Sequence, residues 1–326
     1  NSSLNLKLAG CLLKFPYLHF TWNHLMKPWL VLSLLSSLML VGCIEDPKTT
    51  GGSGSQSFGV SYSGQTNWAA LETMDEIQAF VDVFELHHRN QALMESWPLQ
   101  LVELTPDSDL TAFNVDSCSE ASTISFQLEM TGQADGEAEA EATGFNNQVT
   151  LAEYCLPDEA LDAHPIENGT IVVLGNTDAY IASFSAYRKE IPDLYEVRFG
   201  GQVLFKPSAS NPSRIYDLVI SQNQDPALVA KYEDFKVSEG TDGQFYTGIF
   251  YHPNYGKVSV TTDAQVVTAD DDVFVNRPTS GSLKLTSGNH SARIIFSAAS
   301  YNLELDLGDD GVVDDELQDQ TWPSIP

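Results

Sequence analysis

The acidic run from Asp306 to Glu316 (DLGDDGVVDDE) gathers more potential ligands than any other short stretch of this sequence. Asp306, Asp310 and Asp314 recur at a spacing of four, and Gly311 stands where a compact loop would turn sharply. Hard cations such as Ca2+ take several carboxylate and carbonyl oxygens from one such loop. The spacing therefore marks Asp306, Asp310 and Asp314 as candidate calcium ligands. An acidic surface turn is the other reading of the same residues. Nucleophilic chemistry has less support. The patterns G-x-S-x-G and H-E-x-x-H are absent, and no glycine loop of the phosphate-binding type occurs. Ser185 and Lys189 lie one residue too far apart for S-x-x-K. His87 and His88 are sequential, so a helix would point them about 100° apart, unsuited to one metal. No His-x-x-x-His pair occurs downstream of residue 43, which argues against zinc. No catalytic residue is assigned. A carboxylate-dependent hydrolase stays open, because the separation of its paired acids exists only in the fold.

The acidic loop resembles the first nine positions of an EF-hand loop, with Asp306 first, Asp310 fifth, Gly311 sixth and Asp314 ninth. It departs from that pattern at Gly308, where a donor is expected, and at Leu317, where the closing glutamate is expected. It also follows an expected strand, not a helix.

Strands dominate the expectation. From about residue 121 apolar residues alternate with polar ones: Ile124, Phe126, Leu128 and Met130; Tyr195, Val197 and Phe199; Val203 and Phe205. The same period recurs in Phe245–Tyr251, Leu283–Leu285, Ile294–Phe296 and Tyr301–Leu305. Asn168-Gly169, Gly200-Gly201, Asp242-Gly243 and Ser287-Gly288-Asn289 punctuate them as turns. Alternation of period two means one wet and one buried face, hence antiparallel sheet. About ten short strands at this spacing predict a mainly β fold, a sandwich or a partly open barrel. Residues 225–235 could form a short helix instead. Tyr251-His252-Pro253-Asn254-Tyr255-Gly256 reads as a hairpin turn flanked by aromatics. The run Glu137–Ala142 (EAEAEA) reads as a charged edge strand or loop.

One helix is expected, over about residues 68–94. Met74, Ile77, Val81 and Phe84 mark a single buried face, and Thr73 with Glu76 has capping-box spacing. Its apolar face should pack on the sheet.

The N-terminal region carries an address. Met26-Lys27-Pro28-Trp29 is a short basic stretch, and Leu30–Val41 is a 12-residue apolar run. As a helix this run rises about 18 Å, too little for a hydrocarbon core of about 30 Å, so it reads as a signal peptide. Leu40-Val41-Gly42-Cys43 resembles the lipobox of bacterial lipoproteins. That resemblance implies cleavage before Cys43 by signal peptidase II, a diacylglyceryl group on its thiol and an acyl group, such as palmitate, on its new amino group. Ile44 occupies the place of the aspartate that retains such proteins at the inner membrane, which implies the outer membrane. Several acyl chains give stable attachment where one is marginal. The organisation read from the sequence is an upstream stretch 1–25 preceding the true start at Met26, a signal peptide 26–42, a lipidated Cys43 with a Gly/Ser tether through residue 66, and a single β-rich domain 67–326. Ser-Gly-Ser-Leu-Lys-Leu (280–285), the aromatic hairpin and Glu304–Gly311 resemble a group of outer-membrane lipoproteins of Gram-negative bacteria known by location alone. This implies location and β architecture, and no activity.

Composition sets the remaining bounds. The chain has 326 residues and a formal net charge of −29. Residues 1–43 hold Lys7, Lys14 and Lys27 and no acid, leaving 13 basic and 45 acidic residues beyond them, a net charge of −32. Such a surface repels nucleic acid. It suits cation binding, or solubility alone. The partners expected are the membrane, through the anchor, and a protein or glycan ligand of unknown identity. Beyond Cys43 the cysteines are Cys118 and Cys155, an even pair in an exported chain. Oxidising compartments favour their pairing as a disulfide. The bridge would close a loop of about 38 residues and contribute roughly 4 kcal/mol. Two unpaired buried thiols are the alternative.

Overall fold

The structure is a computed structural model and describes residues 59–113, 122–131, 144–155, 165–192, 195–223, 228–268, 277–322 and the short pairing of Lys7–Leu8 with Cys11–Leu12. Thirteen strands form one antiparallel sheet in which each pairs with its neighbours in sequence. They are β1 (Thr123–Thr131), β2 (Gly144–Cys155), β3 (Ile166–Gly175), β4 (Tyr180–Ile191), β5 (Tyr195–Lys206), β6 (Ser213–Gln222) and β7 (Val229–Glu239). The meander continues with β8 (Gln244–His252), β9 (Gly256–Thr268), β10 (Pro278–Ser287), β11 (His290–Ser297), β12 (Ser300–Leu307) and β13 (Asp315–Thr321). One helix, α1 (Met74–Glu103), packs on its inner face. The fold is thus mainly β, with more and longer strands than the ten expected, in an open sheet whose edges are β1 and β13.

The helix begins where the sequence marks it. The Thr73 hydroxyl accepts from the Glu76 backbone N–H, and the Glu76 carboxylate accepts from the Thr73 N–H. This reciprocal cap satisfies donors that the first turn leaves open. The helix starts six residues later than expected because Trp68 forms a parallel bridge with Lys257 and the Ala69 N–H donates to the Lys257 carbonyl. It also runs nine residues further, through Pro98. Proline removes an intrahelical hydrogen bond, at about 3 kcal/mol. Trp97 and Leu101, both buried in the core, offset that by packing the last turns on the sheet.

Along α1 the partners step through the strands in reverse. Gln78 meets Tyr301 of β12, Phe84 meets Tyr246 and Phe250 of β8, and the Val83 carbonyl accepts from Tyr232 of β7. Glu95 meets Tyr216 of β6, Trp97 donates to Glu167 of β3, and the Leu101 carbonyl accepts from Asn147 of β2. The helix therefore lies across the strands. Thirty residues of helix span about 45 Å, whereas thirteen strands laid flat would span about 58 Å. Curvature of the sheet reconciles the two lengths.

That curvature has identifiable devices. Gly201 of β5 sits at φ +131°, where an added Cβ would lie 2.4 Å from the Asp217 carbonyl oxygen and 2.6 Å from the Leu218 Cα. Gly248 of β8 sits at φ +141° against Phe235, at a register shift between β7 and β8. Bulges and glycine bends of this kind turn a sheet sharply.

The inner face is packed with aromatics: Phe184, Tyr187, Phe199, Tyr216, Tyr232, Phe235, Tyr246 and Phe250 are fully buried. Residues 229–235, allowed for above as part of a short helix, belong to β7. Ala230 and Tyr232 point inward, and Asp234, at φ +48°, resets the register so that Phe235 and Val237 also face the core. Edge strand β13 is exposed along nearly its whole length, and Asp315, Glu316 and Asp319 there oppose edge-to-edge pairing by like charge. The EAEAEA run lies outside the described residues.

Candidate functional site

Asp306, Asp310 and Asp314 are brought together in the turn between β12 and β13. Asp306 accepts the backbone N–H of Asp310 at 3.1 Å and of Gly311 at 2.8 Å. Asp310 accepts the Val312 N–H at 2.9 Å, and Asp314 accepts the Leu307 N–H at 2.7 Å. Gly308, Asp309 and Gly311 supply the positive φ angles of the turn. The loop thus closes on itself, each acid holding a backbone donor. Lys284 lies 2.7 Å from Asp309 and holds its carboxyl below the usual range. A cavity of about 380 Å3 beside the loop is lined by Lys284, Ser291, Arg293, Glu304, Asp306 and Asp310. Arg293 bridges Asp263 and Glu304 there, at 2.9 Å each. Among the described residues no three His, Cys, Asp or Glu side chains converge as a metal cage. Both oxygens of Asp306 are taken by backbone donors, Asp310 and Asp314 are exposed, and calcium coordination at this loop stands as a proposal.

A second polar constellation lies under α1. His88 Nδ1 is 3.2 Å from the Tyr246 hydroxyl and its Nε2 is 3.3 Å from the Thr268 hydroxyl. His87 sits in an aromatic box, its ring 4.4 Å from Tyr216 and 4.8 Å from Phe235, both edge-on. Edge-on rings let an imidazole N–H face a π cloud, a weak substitute for a hydrogen bond. Burial drives His88 down to about 4 and His87 well below its usual value. Glu95 accepts from Arg214 at 2.8 Å and from Tyr216 at 3.1 Å, and burial raises its carboxyl. Arg214 also pairs with Glu239. The two histidines face different strands, consistent with their positions one residue apart. This network orients α1 and is enclosed by the sheet. The sequence offered no local signal for it, because its members lie up to 180 residues apart.

The hairpin aromatic Tyr251 points outward and is nevertheless buried. Lys231 of β7 stands 4.4 Å above its ring, Lys257 of β9 stands 5.6 Å away, and Tyr62 packs edge-on at 5.7 Å. The Tyr251 hydroxyl donates to Glu233 at 2.8 Å. Lys257 also lies 4.9 Å over Trp68. This cluster clamps the incoming chain: the Gln65 N–H donates to the Pro253 carbonyl, and Gly64 packs on Pro253. The compact domain therefore begins before residue 67, since residues expected to be tether already pack from Gly59 onward.

No family model, curated protein or solved structure matches this chain. The remaining sequence-derived sites divide as follows. Cys155 is buried at the end of β2. Cys118, the partner expected for it, and Cys43 lie outside the described residues. One acid that the sequence did not single out is Asp82 on α1. Asp82 is exposed on the helix surface, and partial desolvation, then the charge of Glu85, raise its carboxyl above the usual carboxylate range.

Two outcomes follow from this geometry. The folded pKa of His88 is depressed, so the unfolded chain gains a proton that the folded chain refuses as pH falls below about 6.5. The stability of wild type relative to His88→Gln should therefore fall by about 1.4 kcal/mol per pH unit between pH 6.5 and about 4. Urea unfolding across that range measures it; a pH-independent difference contradicts a neutral, buried His88. At the acidic loop, cation binding predicts that millimolar Ca2+ raises the melting temperature more than matched Mg2+, which dehydrates reluctantly. Equal shifts with both ions, or a shift that survives Asp310→Ala, would leave the loop as a self-closed acidic turn.

Proposed function

We propose that this chain is an envelope-anchored lipoprotein, held in the outer membrane through lipidated Cys43, whose β domain works by binding or as a structural element. The observation that carries the second half is the occupation of the sheet's concave side. Ile77, Phe80, Val81 and Phe84 of α1 fill the space where a curved sheet would otherwise receive a ligand. The surfaces left for contact are the outward face of the sheet and its rims. The address rests on the Leu40–Cys43 motif behind its apolar run. Among the described residues no helix is long and apolar enough to cross a membrane.

The strongly acidic surface disfavours nucleic acid and suits a neutral or cationic protein or glycan ligand. A calcium-dependent adhesion module is the form this reading takes if the β12–β13 loop binds Ca2+.

Fractionation of cells carrying Cys43→Ser tests the anchor. The variant should leave the membrane fraction and lose the mass of the acyl groups. Full partition with membranes at an unchanged processed mass would exclude lipidation at this residue.

A further inference from the structure

A cavity of about 200 Å3 opens on the outward face of β3–β5, lined by Gly59, Asn168, Ala186, Tyr187, Arg188 and Arg198. A bulge shapes it. Ala186 of β4, at φ +53°, falls at a register shift with β3 and at another with β5. Bulges re-aim the side chains beside them, and they gather next to functional sites. A positive φ at a residue with a Cβ is strain that the surrounding structure must hold. Beyond the bulge, Asn168, Arg188 and Arg198 stand directly opposite one another on three adjacent strands. Tyr187, Val197 and Phe199 beside them are buried in the core, so the two arginines point outward.

This row holds donors that the chain does not match with acceptors. The Asn168 Oδ1 accepts the Glu153 backbone N–H at 2.9 Å, which fixes the orientation of its amide. The Asn168 Nδ2 is buried and has no hydrogen-bond partner. A buried donor left unmade is costly, and it asks for an acceptor from elsewhere. Arg188 approaches Glu190 only to 3.4 Å and Glu196 only to 3.7 Å, and among the described residues its guanidinium donates no hydrogen bond. Arg198 holds Glu196 with two bonds, at 2.8 and 3.2 Å. Two like charges directly opposite each other on neighbouring strands repel.

We propose that this cavity binds the carboxylate group of a small ligand, with the Arg188 guanidinium and the Asn168 amide as its donors and Arg198 as the flanking charge. The site goes beyond the proposed function, and neither the lipid anchor nor the calcium loop enters it. A guanidinium presents a planar fork of N–H groups that matches the two oxygens of a carboxylate. An anion between Arg188 and Arg198 also relieves their mutual repulsion. The net charge beyond residue 43 is −32, so a singly charged carboxylate is repelled less than a phosphate dianion. Pockets for drug-sized ligands run to about 300–1,000 Å3, so this smaller volume suits one acid group, free or at the end of a longer molecule.

Thermal melts of the chain in rising sodium acetate and rising sodium glucuronate, at an ionic strength held constant with NaCl, test the site. Both probes should raise the melting temperature along a saturable curve. Tighter binding of glucuronate assigns the carboxylate to an acidic sugar, and tighter binding of acetate to a free acid. Arg188→Gln, at a partly exposed position, should weaken the apparent affinity about tenfold. Asn168→Asp is the second variant. It keeps the acceptor for Glu153 and replaces the idle donor by a carboxylate oxygen opposite Arg188, so the chain supplies the ligand group itself. It should melt higher than wild type without probe and lose its response to both probes. The absence of a saturable rise in wild type overturns the proposal, as does a rise that survives Arg188→Gln unchanged. So does a larger response to phosphate than to either carboxylate, or a wild-type response in Asn168→Asp. None of these outcomes bears on lipidation of Cys43, which the mass of the envelope-purified protein decides.

Discussion

Burial of one face of α1 against the concave side of a single sheet is the interaction on which this architecture depends. A lone sheet has two faces and needs a cover for the apolar one. Sandwiches supply a second sheet and barrels close on themselves. Here one helix of thirty residues does the covering, lying across the strands and touching both halves of the meander. Phe80 and Phe84 are fully buried in its first half, and Trp97 and Leu101 are buried near its end. Polar groups set its register: Gln78 with Tyr301, His88 with Tyr246 and Thr268, Glu95 with Arg214, and Asn147 with the last turn. A buried polar pair that loses one partner is expensive, so such pairs disfavour sliding of the helix along the sheet.

The same demand explains the glycine bends and the aromatic lining. A sheet that must curve around a helix needs local departures from regular pairing, and Gly201 and Gly248 provide them where a Cβ would strike a neighbouring strand. The space between helix and sheet is then filled by large flat rings, often in contact with one another, as with Phe84, Tyr246 and Phe250. Because the concave side is filled, contact with other molecules falls to the outward face and the rims. The outward face is divided: one part carries the lysine–tyrosine clamp on the incoming chain, another an aliphatic row, and the β12–β13 rim carries acids.

Much of this was legible in the sequence, and the exceptions have physical causes. Thr73 and Glu76 announce the helix start, and the alternation in β1, β5 and β12 announces antiparallel sheet; in β8 the expected row of Phe245, Thr247 and Ile249 faces outward while Tyr246 and Phe250 fill the core. Strands such as β3 escape that pattern. Its Ile171-Val172-Val173-Leu174 run is apolar on both faces because the outward face there is itself aliphatic. Strand β13 escapes for the opposite reason, being polar and exposed throughout. The end of α1 was misplaced because tertiary packing of Trp97 and Leu101 outweighs the local effect of Pro98. The acidic loop was found, but its carboxylates are engaged by backbone donors, a use that residue spacing does not reveal. The His88–Tyr246–Thr268 and Glu95–Arg214 contacts are made by residues far apart in the chain, so no local pattern could have shown them.

The central claim is that helix and sheet form one cooperative unit, with the sheet folded around the helix. Urea unfolding of wild type and Phe84→Ala, followed in parallel by far-ultraviolet circular dichroism and by fluorescence of the buried Trp97, tests it most directly. Removal of a fully buried phenylalanine should lower stability by about 3–5 kcal/mol and move both signals together. A sheet signal that keeps its wild-type midpoint while the Trp97 signal is lost early would contradict the account, because the sheet would then hold its shape without the helix.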